Sequence, residues 1–265
     1  MNTVFDVGAH KGEDTEYYLM KGFNVVAVEA NPILAQALRE KFNKAILSRQ
    51  LTVVGAAIAE ADGEIEFFVN ELSVWGTIRE SWAERNQKMG KQSKRVRVPA
   101  ISFRRLLDEH GTPYYLKIDI EGADMLCLRG VAQALTRPKF LSIESNKTSW
   151  SELLSEFSLL EQLGYNRFKL INQAEVQKQT EPNPAREGIY TNYRFPPHSS
   201  GLFGNDLPGR WLTRRQVLIR YAFIFLQYKL FGDHTLGQRI VLKMPSRLQH
   251  RFIPGWYDTH ATHVD

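Results

Sequence analysis

Asp6-Val7-Gly8-Ala9-His10-Lys11-Gly12 joins a short apolar run, Thr3 to Val7, to a polar segment with helix-forming composition. Gly8 and Gly12 allow close backbone approach and left-handed dihedrals. A helix opening at this turn aims its first N–H groups at whatever occupies it. Glu29 lies 21 residues after Gly8, at the end of the next apolar run. An acid in that place can accept hydrogen bonds from both hydroxyls of a ribose. The pattern therefore describes a site for a nucleoside-containing cofactor. The G-x-x-x-G turn lacks the middle glycine that brings a dinucleotide pyrophosphate against the backbone, and no G-x-x-x-x-G-K-[ST] phosphate loop is present. An NAD-linked oxidoreductase is thus the weaker alternative, and a non-catalytic binding module the third. The acid before the turn, Asp6, suits a cofactor with a cationic amino-acid part, such as S-adenosyl-L-methionine.

A second group of acids follows in Tyr115-Leu-Lys-Ile-Asp-Ile-Glu-Gly-Ala-Asp124 and at Glu144. In an open α/β sheet, ligands bind outside the carboxyl ends of the strands. Asp119, Glu121 and Glu144 are therefore expected near one another and near the cofactor. Methyl transfer from a sulfonium chiefly needs in-line placement of the nucleophile. A hydroxyl nucleophile also gains from a base within hydrogen-bond reach. Asp119 or Glu121 is the candidate base, and Glu144 the candidate for orienting the acceptor. Clustered carboxylates also suit a divalent cation, although no metal ligand is assigned. Glu121-Gly122 and Asp124 have a plainer reading as turn and helix-capping residues.

The elements needed to hold these residues can be read from the same stretch. Thr3 to Val7, Asn24 to Glu29 and Leu51 to Ile58 read as buried strands, with helices over about 13–21 and from Asn31-Pro32 to about Asn43 between them. Such alternation predicts a parallel sheet covered on both faces. Glu64 to Asn70 and Lys94 to Ile101 read as an inserted strand pair, within about 62–101, with a polar lid between. Tyr114 to Ile120, Phe140 to Glu144 and Asn166 to Ile171 continue the sheet, with helices from about Ala123 to Leu135 and from Trp150 to Leu163.

At this point the chain resembles the FkbM family of S-adenosylmethionine-dependent methyltransferases. Val4 to Gly12 (VFDVGAHKG), Val26 to Pro32 (VAVEANP) and Tyr115 to Asp124 (YLKIDIEGAD) carry the resemblance, which spans roughly Thr3 to Glu144. It implies a class I (Rossmann-like) methyltransferase fold and, typically, O-methylation of a hydroxyl on a sugar or natural product. Carried across, Asp6, Gly8, His10 and Gly12 match the first cofactor motif and Glu29 the ribose acid. Asn31 would lie near the adenine, and Asp119 would face methyl group and substrate.

The bulk numbers set outer limits. The chain has 265 residues, a charged fraction of 24% and a formal net charge of +5. One cofactor-binding domain over 1–180 and an extension over 181–265 are expected. Cys127 is the single cysteine, so no internal disulfide forms, which fits a reducing cytoplasm. No signal-like or membrane-spanning run is seen. No nucleic-acid motif is seen, so the expected partner is a small-molecule or glycan acceptor. In the extension, Pro196 to Leu207 reads as a lid, with His198 as a second candidate base. Leu212 to Phe231 reads as an apolar helix that could pack in the core, pair two copies or lie on a membrane. Asp258, His260 and His263 have a metal-like spacing on a terminus expected to fray.

Overall fold

The computed structural model describes residues 2–70, 76–78, 93–120, 122–146, 149–232, 235, 241 and 255–263. A seven-stranded sheet runs through the core in the order β3-β2-β1-β7-β8-β10-β9. Its strands are β1 (Thr3–Val7), β2 (Asn24–Val28), β3 (Leu51–Val54), β7 (Tyr115–Ile118), β8 (Phe140–Glu144), β9 (Arg167–Asn172) and β10 (Tyr257–Thr262). All pairings are parallel except those of β10, which runs antiparallel to both β8 and β9. This is the doubly wound, mostly parallel α/β architecture that the sequence predicted.

Helices α1 (Glu13–Met20), α2 (Pro32–Lys41) and α3 (Asn43–Leu47) follow the first strands. Pro32 and the Asn31 side chain, which accepts from Ile33 N at 3.0 Å, start α2. Tyr17, Tyr18, Leu38, Tyr115, Phe140 and Phe203 fill one side of the sheet. On the other side lie α4 (Phe103–His110), α5 (Asp124–Gln133), α6 (Trp150–Gln162) and α7 (Arg214–Phe231). There Phe5, Leu116, Leu128, Leu141, Phe157 and Tyr221 form the second core.

Leu51 to Ile58 is two strands rather than the one expected. The chain leaves β3 after Val54, and β4 (Ala57–Ala59) joins a separate sheet of order β4-β6-β5 with β5 (Gly63–Asn70) and β6 (Ser93–Ser102). The reason lies in pairing. β4 lies parallel to the end of β6, so the inserted hairpin captures it. The last thirty or so residues, which offered no element to a sequence reading, contribute β10 between β8 and β9.

A buried polar network ties β10 to the helices. Ser145 Oγ donates to Glu156 of α6 and lies 2.7 Å from Thr259 Oγ1 of β10, which in turn lies 2.6 Å from Tyr221 Oη of α7. Burial raises the Glu156 carboxyl to about 8. Above its ordinary range, around pH 4.5, the unfolded chain loses this proton while the folded chain keeps it. Stability therefore falls as pH rises toward 8. Glu156→Gln keeps the hydrogen bond and removes that loss. It is expected to stabilise the protein at pH 8, on the order of 1–3 kcal/mol, and to change little at pH 4. Urea unfolding at the two pH values checks this.

Candidate functional site

The chain winds outward from β1 to β3 and returns to β7 on the other side of β1. The crevice between β1 and β7 is thus the topological switch point, where ligands bind in this architecture. Gly8 follows β1 there with φ 87°. Its N–H and that of Ala9 both donate to Val28 O, at 3.0 Å each. A Cβ on Gly8 would sit 1.8 Å from the Asp119 carbonyl oxygen. The two strand ends touch only because that position has no side chain. Gly8→Ala is expected to push them apart and to cost about 2–4 kcal/mol, read as a fall in unfolding midpoint.

A cavity of about 440 Å³ opens at this point, a size usual for small-molecule sites. Gly8, His10 and Glu29 line one part; Asp119, Glu144 and Asp258 line another. Glu29 is 8% exposed. Its two carboxylate oxygens accept from His10 N and Asn31 N, at 2.8 Å each. The backbone after β1 and after β2 therefore fixes this acid in place. Burial raises its pKa, with those two N–H groups opposing.

Three further predicted residues stand behind the cavity wall. Asp6 is fully buried, bonded to Lys117 Nζ at 3.0 Å and Thr15 Oγ1 at 2.5 Å. Gly12 caps α1 with φ 79°, and a Cβ there would meet Leu38 and Phe42. The Asn31 side chain caps α2. Glu121 lies outside the described residues. So do most of the expected lid over Val74 to Asn86, of which Gly76 and Ile78 line the cavity. Asp124 shapes the turn that carries Asp119, accepting from Ile120 N at 3.0 Å and Gly122 N at 3.1 Å.

Two charged residues, Lys117 and Asp14, had no role assigned from the sequence. Lys117 Nζ reaches Asp6, the Gly8 carbonyl at 3.0 Å and Asp14 at 3.4 Å. Burial alone would lower its pKa; the carboxylates of Asp6 and Asp14 more than offset that and raise it. A lysine in the buried run YLKI is itself a signal, because a buried cation needs a partner. Asp14 is lifted to about 6 by burial, against the pull of Lys117. Both its oxygens accept from Ser200 N, at 2.9 and 3.0 Å. That contact draws the segment His198 to Ser200 over the cavity, where the His198 ring meets His10 at 6.2 Å.

Asp258, read from the sequence only as part of a metal-like spacing, also lines the cavity. It stands beside Glu144 across the β8–β10 pairing, and Gln173 donates to it. Burial raises its pKa well above the ordinary value, and Asp119 and Glu144 add to the rise. His260 lies two residues further along β10. It is buried in the sheet, with its pKa lowered by burial to about 3. Among the described residues no group of three His, Cys, Asp or Glu side chains is placed to hold a metal. Asp258 and His260 instead follow the two-residue alternation of β10, and His263 lies past the end of that strand.

The fold and the crevice define a doubly wound α/β domain with a nucleoside-type site at its switch point. Residues 6–167 match the family model for the methyltransferase FkbM domain. The chain belongs to that methyltransferase family. No curated protein matches it. Among solved structures it is similar to precorrin-6y C5,15-methyltransferase from Geobacter metallireducens GS-15 at 18% identity, over 64% of this chain and 66% of that one, with a TM-score of 0.37. It thus spans just under two thirds of that protein's length. A methyltransferase from Archaeoglobus fulgidus is 11% identical over 98% and 86%, TM-score 0.40. One from Geobacter sulfurreducens, in complex with S-adenosyl-L-homocysteine, is 9% identical over 99% and 85%, TM-score 0.38.

Proposed function

We propose that the protein O-methylates a hydroxyl of a small molecule or sugar in the cytoplasm. The observation that carries this reading is the meeting of Glu29 and Asp119 in one cavity beside the side-chain-free Gly8. The residues fit an adenosyl cofactor. Gly8 lets the ends of β1 and β7 meet at the cavity, Glu29 is fixed by backbone N–H groups where a ribose acid is needed, and His10 borders the same space. Asp6, Gly12 and Asn31 hold this half in shape from behind. When bound, S-adenosyl-L-methionine supplies an electrophilic methyl group on a sulfonium.

The chain's own residues supply the rest. Asp119 accepts the acceptor hydroxyl's proton, a role Glu121 shares in this reading, and Glu144 orients the hydroxyl. Asp258, whose protonated form is favoured by its burial, donates a hydrogen bond to the acceptor. Within the expected lid from Pro196 to Leu207, the stretch His198 to Ser200 borders the crevice and excludes water from it. Residues 1–180 form the cofactor-binding half; 181–265 add that lid, α7 and the final strand.

Calorimetric titration with S-adenosyl-L-homocysteine, with and without Mg²⁺, tests the cofactor half. Saturable binding is expected without metal, and Glu29→Ala should weaken it about 100-fold, the loss of a charge-assisted pair of hydrogen bonds. Absence of binding in both buffers would sink the reading. The acceptor half is tested by labelled methyl transfer to monosaccharides and their amino-sugar counterparts, with the linkage read by NMR. N-methyl products alone would replace the hydroxyl reading with an amine one.

A further inference from the structure

Helix α7 packs on the sheet through Val217, Tyr221 and Ile224, all buried. Its opposite face is also apolar. Ile219, Phe223, Leu226 and Leu230 follow one another at steps of four, three and four, and they are 51%, 67%, 53% and 50% exposed. Such spacing makes one continuous stripe along the helix. Other exposed large apolar residues, such as Ile33, Leu47 and Leu135, stand on separate elements, as single ones do on most proteins.

The edges of the stripe are cationic. By helical geometry Arg215 and Lys229 border it on one side and Arg220 on the other. The helix contains no Asp or Glu. Arg214 is engaged with Glu161 at 3.4 Å and stands apart from this set. Among the described residues no helix is long and apolar enough to cross a membrane. An apolar stripe with basic margins is the pattern of a helix lying in the plane of a bilayer surface, its cations at the level of anionic headgroups.

The orientation suits such a surface. Phe225 packs edge-on against Trp150 at 5.1 Å. Trp150 opens α6, which follows the carboxyl end of β8, where Glu144 lines the cavity. The second half of α7 thus reaches the same end of the sheet as the cavity, whose lining includes the half-exposed Trp256.

We infer that the outer face of α7 docks the protein on an anionic lipid surface, with Ile219, Phe223, Leu226 and Leu230 entering the headgroup boundary and Arg215, Arg220 and Lys229 meeting lipid phosphates. A second copy of the chain is the competing occupant. It is disfavoured because antiparallel pairing of two such helices would bring only cations to the margins.

The test is co-sedimentation of the full chain with phosphatidylcholine vesicles, with and without phosphatidylglycerol. Binding is expected to the anionic vesicles, to weaken with added salt, and to fall about fivefold for each cation removed in Arg215→Gln and Arg220→Gln. Phe223→Glu with Leu226→Glu should abolish it without lowering the unfolding midpoint, since both side chains project from the fold. Failure to bind anionic vesicles at low salt would overturn the inference. So would equal, salt-insensitive binding to neutral vesicles. A wild-type dimer in solution that Phe223→Glu converts to monomer would assign the face to a second copy instead.

Discussion

Lys21→Met is expected to destabilise the protein by about 3–5 kcal/mol, the usual consequence of leaving buried charges without their partner. Lys21 ends the first helical segment, yet its side chain is fully buried. Nζ donates to Glu181, to Asp206 Oδ2 at 2.9 Å and to the Ile189 carbonyl at 3.3 Å. The two acids then organise the long segment that crosses this side of the sheet. Glu181 Oε2 accepts from Thr191 N at 2.7 Å, and Asp206 Oδ1 accepts from Arg186 N at 2.7 Å. Glu187, bonded to Tyr114 Oη at 2.8 Å, adds a third tie. Methionine fills the volume but leaves two carboxylates buried together. Urea unfolding should show the loss, and binding of S-adenosyl-L-homocysteine should weaken with it, because this segment continues into His198 to Ser200. Adding Glu181→Gln and Asp206→Asn should recover much of the stability by removing the stranded charges. A change below about 1 kcal/mol for Lys21→Met would mean that apolar packing of Phe195, Leu202 and Phe203 holds the segment without the ion cluster.

Lys21 also shows where sequence reading stops. A lysine in the last turn of a helix, one residue before Gly22, looks like an ordinary solvated charge facing the helix C-terminus. Its partners lie 160 and 185 residues further along, and no local signal points to them. The first strands, by contrast, were legible because every local preference agreed. Pro32 and Asn31 start a helix, Gly22 and Gly164 end helices with positive φ, and apolar runs of strand length lie between. β10 was not legible, since its period-two pattern alternates polar residues around Ala261 and its partner strands end 113 and 85 residues before it begins. Within the site, spacing placed Gly8 and Glu29 just past the ends of two strands but did not give side-chain direction. Asp6 sits one residue before the end of β1, where Thr15 of α1 and Lys117 of β7 take it up.

Asp119→Asn is expected to lower kcat about 10²–10⁴-fold, the range for loss of a general base, with binding of S-adenosyl-L-homocysteine unchanged. Asp119 is an exposed acid at the carboxyl end of β7, held by the Asp124-capped turn, with its backbone against Gly8. Asparagine keeps the shape and removes the proton acceptor. Asp258→Asn should behave differently, although both acids line the cavity. Burial already keeps Asp258 protonated past the ordinary carboxylate range, so asparagine reproduces the form that acts and kcat should stay within about tenfold. The stability signs also separate the two. The unfolded chain gives up the Asp258 proton at ordinary acid pH while the folded chain retains it, so this residue costs stability as pH rises above that range. Asp258→Asn should therefore raise the unfolding midpoint at neutral pH and leave it nearly unchanged at pH 3. If instead Asp258→Asn abolishes turnover and Asp119→Asn does not, the proton leaves the acceptor through β10 rather than β7. The base would then be the acid on the strand that closes the sheet, in a part of the chain beyond the matched family domain.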